Sequence, residues 1–127
     1  MNAKKVLIVD DDEFLLDMYV LKFKEAGFVV EVAQNGEEAI QKAKQANPDA
    51  ILLDVVMPKI DGFEALRTIK KENIAPNAAI FILSNLGQKE DTERGLGLGA
   101  VDYIVKAHFT PSEVVSRVVG VLKKQGA

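Results

Sequence analysis

The sequence predicts an α/β fold: a doubly wound parallel sheet of five strands covered by five helices. Two observations carry that expectation. Apolar runs recur at 6–9, 29–33, 50–53, 79–83 and 101–105, most of them rich in Val, Ile and Leu without polar alternation, as in strands buried on both faces. Segments of helical period separate the runs, and this alternation is the signature of parallel strands joined by crossover helices. The chain has 127 residues, the size of one domain, so a single unit over 1–127 with an ordered core at about 4–123 is expected.

Each element can be justified in order. The first strand runs into Asp10, Asp11 and Asp12. The helix that follows is led by Asp12, repeats Leu16, Val20 and Phe23 at helical spacing and stops at Gly27. After the second strand, Asn35 and Glu38 read as a cap with its reciprocal acid. Ala39, Ile40 and Ala43 then face inward until Asn47-Pro48 ends the helix. The third strand closes on Asp54, and Asp61 with Glu64 repeats the capping device ahead of Leu66 and Ile69. The fourth helix, about 88–98, contains Gly95 and Gly97, each costing about 1 kcal/mol relative to alanine, and is expected to be short or mobile. Thr110-Pro111-Ser112-Glu113 supplies cap, first-turn proline and capping acid for the last helix, which buries Val115, Val118, Val119 and Leu122. Residues 123–127 read as a frayed tail.

Composition excludes several function classes. Apolar residues at 48% and charged residues at 28% are ordinary for a folded soluble domain. Sixteen basic against nineteen acidic side chains give a net charge of −3, which lacks the positive field of a sequence-blind nucleic-acid binder, so no direct nucleic-acid binding is expected. The absence of cysteine removes disulfides, thiolate metal sites and thiol nucleophiles together. The longest apolar run, 78–83, is far short of the roughly 20 residues a membrane span needs. The 6–9 run meets three aspartates and is too short for a signal-peptide core. A cytoplasmic location fits these features.

In a doubly wound sheet, function gathers at the carboxyl ends of the strands, where strand order reverses. The residues just past the runs are Asp10, Asp11 and Asp12, then Asp54, Ser84 and Lys106. Two carboxylates about 4 Å apart repel by roughly 4 kcal/mol at an effective dielectric of 20, so Asp10, Asp11 and Asp54 together need compensation. Magnesium is the natural remedy, since it takes one or two carboxylates, keeps waters and shares its remaining positions with phosphate oxygens. Three carboxylates, one such ion and Lys106 sum to zero charge. This set suits phosphoryl transfer onto a carboxylate, with Asp54 the candidate nucleophile because it ends a buried run, and Asp10 and Asp11 the cation holders.

The strings Val-Leu-Ile-Val-Asp-Asp-Asp at 6–12, Ile-Leu-Leu-Asp at 51–54, Met57-Pro58 with Asp61-Gly62, Phe-Ile-Leu-Ser at 81–84 and Asp-Tyr-Ile-Val-Lys at 102–106 resemble the receiver domain of bacterial two-component response regulators, relatives of the single-domain chemotaxis regulator. The resemblance covers nearly the whole chain. It implies a flavodoxin-like fold with strand order 2-1-3-4-5, an order known from the chemotaxis member and inherited here from the family. It implies that Asp54 accepts phosphoryl from a histidine kinase or histidine phosphotransfer partner, with Mg2+ held by Asp10, Asp11, Asp54 and the backbone carbonyl of Val56. By the same carry-over Ser84 binds a phosphoryl oxygen, Lys106 pairs with it, and Tyr103 turns inward once Ser84 moves. The output is then a shift of the fourth helix, fifth strand and last helix toward a downstream protein, a signalling switch and not an enzyme. Homodimer formation on activation stays open. The family usually has a cis-linked proline after the lysine, where this chain has Ala107. A cis bond without proline costs about 2.5 to 4 kcal/mol, so either a trans peptide with an altered loop or a strained cis one is expected.

Ordinary readings compete for each residue. Asp12 is a helix cap, Ser84 could satisfy loop backbone, Lys106 could be a solvated charge, and Tyr103 could pack its ring while exposing its hydroxyl. The lone His108 receives no role. Gly95-Leu-Gly-Leu-Gly-Ala100 fits the dinucleotide fingerprint loosely but precedes a strand instead of opening a helix. Among rival functions, a flavin carrier would meet three repelling carboxylates at its phosphate site. An aspartyl phosphatase or mutase would need a second aspartate where Val56 stands. A pseudo-receiver that binds partners without phosphorylation is the remaining alternative, favoured by Ala107.

Overall fold

The computed structural model describes residues 3–57 and 60–126. Pro58 of the Met57-Pro58 pair and the last residue of the chain lie outside the described residues. The elements in order are β1 (Lys5–Val9), α1 (Glu13–Glu25), β2 (Val29–Ala33), α2 (Gly36–Ala46), β3 (Ala50–Leu53), α3 (Gly62–Lys71), β4 (Ala79–Ser84), α4 (Lys89–Gly97), β5 (Asp102–Val105) and α5 (Pro111–Gly126), with a 3-10 turn at Lys106–His108 before the last helix. All four strand pairings are parallel and the order is β2-β1-β3-β4-β5. The doubly wound, flavodoxin-like architecture expected from the sequence is the one observed.

Alternation of side chains across each strand builds two core layers. Leu7, Val9, Ile51, Leu53, Ile80 and Ile82 face Ala39, Ala43, Phe63, Leu66 and Ile69 from α2 and α3. Val6, Ile8, Leu52, Phe81 and Leu83 face Leu16, Tyr19, Phe23, Val114 and Val118 from α1 and α5. Every residue of β3 and β4 is buried, as the apolar runs demand. β2 departs from that pattern, because it is an edge strand and leaves Val29 and Val32 exposed.

Capping chemistry sets the helix ends largely as expected. Asp12 accepts from the amides of Phe14 and Leu15, Asn35 from Glu38, and Asp61 from Glu64. The Thr110–Glu113 box closes in both directions, at 2.8 and 3.2 Å, and Gln88 with Asp91 forms a further capping box at the start of α4. Glu38 reaches the amide of Gln34 and not that of its cap, and Glu64 lies 3.7 Å from Arg67. The fourth helix is short, nine residues. α5 continues as helix through Gly126, so the 123–126 part of the expected tail is helical, and residue 127 lies outside the described residues. Within α5 it is Val114 and Val118 that are fully buried, while Val115, Val119 and Leu122 pack at the margin.

α3 starts directly on the end of β3. A Cβ on Gly62 would lie 2.0 Å from the carbonyl oxygen of Asp54 and 2.6 Å from the Cα of Val55, both backbone atoms that cannot turn aside. Gly62→Ala should therefore destabilise the fold by about 3 kcal/mol, the upper range for overpacking. Urea unfolding tests this by a lowered midpoint with an unchanged slope.

Candidate functional site

β1 and β3 are parallel neighbours, so their carboxyl ends share one sheet edge, and Asp10 and Asp54 are the next residues on each. Strand pairing continues one step past both ends: the Asp54 amide donates to the Val9 carbonyl and the Asp10 amide to the Ala33 carbonyl, each at 3.1 Å. Both carboxylates are buried, while Asp11 is exposed at the rim. One carboxylate oxygen from each of Asp10, Asp11 and Asp54 lies within 4.8 Å of the others.

Lys106 reaches this cluster from the end of β5. Its Nζ donates to Asp10 Oδ2 at 2.6 Å and to Asp54 Oδ2 at 2.8 Å, and its side chain is only 8% exposed. The second oxygen of each acid is fixed by local backbone: Asp10 Oδ1 accepts from the Asp12 amide at 2.9 Å, and Asp54 Oδ1 from the Val56 amide at 3.0 Å. Ser84, fully buried at the end of β4, accepts from the Leu86 amide at 3.3 Å. These groups surround a hollow of about 340 Å³. A larger hollow of about 490 Å³ at the other end of the sheet is lined mainly by apolar groups such as Phe28 and Leu122, with lysines at its edge and no carboxylate.

The electrostatics follow from burial and pairing. Burial pushes the Asp10 carboxyl above its ordinary 3.8; the hydrogen bonds from Lys106 and the Asp12 amide oppose that rise, and the nearby Asp54 charge adds to it. Burial alone would lower the Lys106 ammonium, but its bonds to Asp10 and Asp54 outweigh that and hold it above 10.5. Three carboxylates against one ammonium leave a formal charge of −2. A divalent cation with oxygen preference fits that charge and that donor set.

The structure brings together Asp10, Asp11, Asp54, Ser84 and Lys106 with Val56, although up to 96 positions separate the paired groups. Asp12 caps α1 and also borders the hollow. Val56 and Leu86 stand exposed at its mouth. Asn85 lines it as well, a residue that the sequence marks only by its place directly after Ser84 at a strand end. Tyr103 does not line the hollow. It is buried against the layer containing Ile82, and its hydroxyl donates to the Leu86 carbonyl. Burial, with the charges of Asp91 and then Asp54, pushes that hydroxyl up to about 12. His108 is exposed in the 3-10 turn. No cis peptide bond is present among the described residues, so Lys106–Ala107 is trans. The altered loop is that 3-10 turn, closed by the Phe109 amide on the Lys106 carbonyl at 3.3 Å.

The family of response regulator receiver domains matches residues 6–119. The chain belongs to the response regulator receiver family. It is 41% identical over 114 residues to the chemotaxis protein CheY of Thermotoga maritima, covering 89% of this chain and 92% of that one. It is 37% identical over 121 residues to the alkaline phosphatase synthesis transcriptional regulatory protein PhoP of Bacillus subtilis, covering 95% of this chain and 49% of that protein. The chain thus spans about half the length of several transcriptional regulators it matches. Among solved structures, the receiver domain of the Francisella response regulator 1452 superposes with a TM-score of 0.87 at 36% identity, over 96% of this chain and 98% of that one. The receiver domain is a signalling component of two-component systems, and its acidic cluster is the feature that such domains use to bind Mg2+. No helix among the described residues is long and apolar enough to cross a membrane.

The raised Lys106 has a consequence for stability. While its partner carboxylates are ionised, protonated Lys106 stabilises the fold fully below 10.5, and that contribution is lost as pH climbs through its higher folded value. With chelator present, Lys106→Met should lose about 3–5 kcal/mol at neutral pH, because two buried carboxylates lose their counter-charge. Its stability should also fall less steeply than the parent's above pH 10.5, as urea unfolding across pH would show.

Proposed function

We propose that this chain is a phosphoacceptor switch in which Asp54 takes a phosphoryl group from a phosphohistidine partner, either a histidine kinase or a histidine phosphotransfer protein. The observation that carries the reading is the convergence of Asp54 with Asp10, Asp11 and Lys106 around one hollow. An Asp54 carboxylate oxygen attacks phosphorus, the new O–P bond forms as the P–N bond breaks, and the imidazole nitrogen departs with the electron pair. Asp10, Asp11, Asp54 and the Val56 carbonyl would hold Mg2+, which supplies positive charge for the phosphoryl oxygens.

The other roles follow from present contacts. The Lys106 ammonium, now shared by two carboxylates, turns to a phosphoryl oxygen as the group arrives. Ser84 uses its oxygen to accept from Leu86, which leaves its own proton free for a phosphoryl oxygen. The modified Asp54 carries nearly two negative charges in place of one, and the response passes to α4, β5 and α5, the face offered to a downstream protein partner. A regulator of this kind works in the cytoplasm without touching nucleic acid through this domain. Phe14, Met18 and Leu21 are 74%, 36% and 57% exposed on α1 at i, i+4 and i+7, an apolar stripe beside Asp12 that suits a helical phosphodonor surface.

A second reading is favoured by one observation, the trans Lys106–Ala107 bond and its 3-10 turn. It makes the chain a pseudo-receiver, a protein-interaction domain that works without phosphorylation. Incubation with Mg2+ and a small phosphodonor separates the two. The intact mass should rise by one phosphoryl group, and Asp54→Asn should abolish the increase; no gain in the parent would leave the pseudo-receiver reading. Val56 and Leu86 place no polar side chain at the mouth to orient attacking water. Loss of phosphate should therefore be slow, and Val56→Asn should accelerate it several-fold, measured as decay of the phosphorylated mass after donor removal.

A further inference from the structure

The hollow of about 490 Å³ lies at the amino ends of the strands, at the opposite end of the sheet from the acidic cluster. Three segments far apart in sequence build it. Lys4 precedes β1, Gly27 and Phe28 turn the chain from α1 into β2, and Val119, Leu122 and Lys123 stand at i, i+3 and i+4 on α5, which is one helix face. Gly27 has a φ of +91°, and a Cβ there would meet nothing within 4 Å. The turn thus takes a residue without a side chain, and that wall of the hollow stays unfilled. Phe28 is held back as part of the floor, its ring edge-on to that of Phe23 with centroids 5.1 Å apart.

The floor is apolar, and the polar groups at the rim are of one sign. The amides of residues 26–29 all donate to backbone carbonyls, at 2.9–3.2 Å, so the turn offers an incoming group no free donor. Lys4 and Lys123 do offer one: neither ammonium has a hydrogen-bond or ion-pair partner among the described residues. Glu25, the acid nearest this turn in sequence, is paired with Lys22 at 3.5 Å. No carboxylate lines the hollow, although acids outnumber bases in the chain as a whole. Its charge and its apolar lining therefore select for the same kind of molecule.

We propose that this hollow is a second binding site, for a small organic anion with an apolar body, such as an aryl or alkyl carboxylate. The body displaces water from Phe28, Val119 and Leu122. The carboxylate accepts from the ammonium groups of Lys4 and Lys123, whose long stems lie along apolar surface and carry the charge to the rim. The volume falls within the roughly 300–1,000 Å³ of small-ligand sites, which are mostly apolar with a few polar groups that fix orientation. An anionic membrane fits less well, because two lysines on a chain of net charge −3 exert little pull toward such a surface, and the apolar groups line a hollow instead of a projecting face. The site is remote from Asp54 and does not depend on the phosphoacceptor reading.

Titration of the whole chain with 4-phenylbutyrate, followed through its amide chemical shifts, tests the assignment. Saturable shifts should centre on residues 26–28 and 119–123, and the neutral 4-phenylbutanamide should bind about tenfold more weakly, as expected for the loss of two exposed ion pairs. Lys4→Gln and Lys123→Gln, both at exposed positions, should each weaken the acid about three- to fivefold. Asp54→Asn should bind it as the parent does. Absence of a saturable shift, an amide that binds as tightly as the acid, or unchanged affinity in both lysine variants overturns the proposal. So do shifts centred on Asp10, Asp54 and Lys106 that Asp54→Asn abolishes, which would seat the probe in the acidic hollow. Sedimentation with phosphatidylglycerol vesicles, lost in both lysine variants and unaccompanied by binding of the soluble acid, would make the hollow a membrane contact and likewise overturn it. None of these measurements needs phosphoryl transfer, so failure of the phosphoacceptor reading shows separately, as absence of a mass gain.

Discussion

The site depends on one ammonium group placed between two buried carboxylates. Lys106 reaches Asp10 and Asp54 from the far end of the sheet order, across the width of β4, and each contact is short enough to be a charge-assisted hydrogen bond. Without it, two acids in a low-dielectric corner would repel each other with no counter-charge between them. With it, they stay poised in a defined orientation, because their remaining oxygens are fixed by the amides of Asp12 and Val56. The arrangement balances only part of the charge. That residual deficit suits a divalent cation.

The parallel topology makes this possible with little local machinery. Four different strands deliver Asp10, Asp54, Ser84 and Lys106 to one edge simply because all of them point the same way. The strand interiors need only be apolar and of the right length, and the site residues sit at or just past the strand ends. Gly62 shows how tightly the layers behind the site are seated, since α3 begins against the backbone of the candidate acceptor itself.

Much of this was legible in the sequence. The five apolar runs gave the strands to within a residue, because burial on both faces leaves a strong signal; β2 blurred it, as edge strands do, with exposed Val29 and Val32. Caps at Asp12, Asn35, Asp61 and Thr110 were readable because a helix start needs an oxygen acceptor there. The end of α5 is hard to place from sequence, since Lys123-Lys124-Gln125-Gly126 suits a frayed end and a last helical turn alike. At the site, the acids and the lysine were recoverable from their position after strands. Less visible were features fixed by three-dimensional contact: the ring of Tyr103 under α4, the bond from its hydroxyl to Leu86, and Asn85 at the rim.

The distribution of the site over four strands has a thermodynamic corollary. No sub-fragment retains the full ligand set, so an ion or anion seated in the hollow is bound by the intact sheet and released by its collapse. Mass action then ties occupancy to the survival of the whole chain: conditions that keep the pocket filled lengthen the molecule's resistance to unfolding and proteolysis, and emptying it shortens both. Occupancy of the hollow and resistance to unfolding are in that sense governed by the same few atoms.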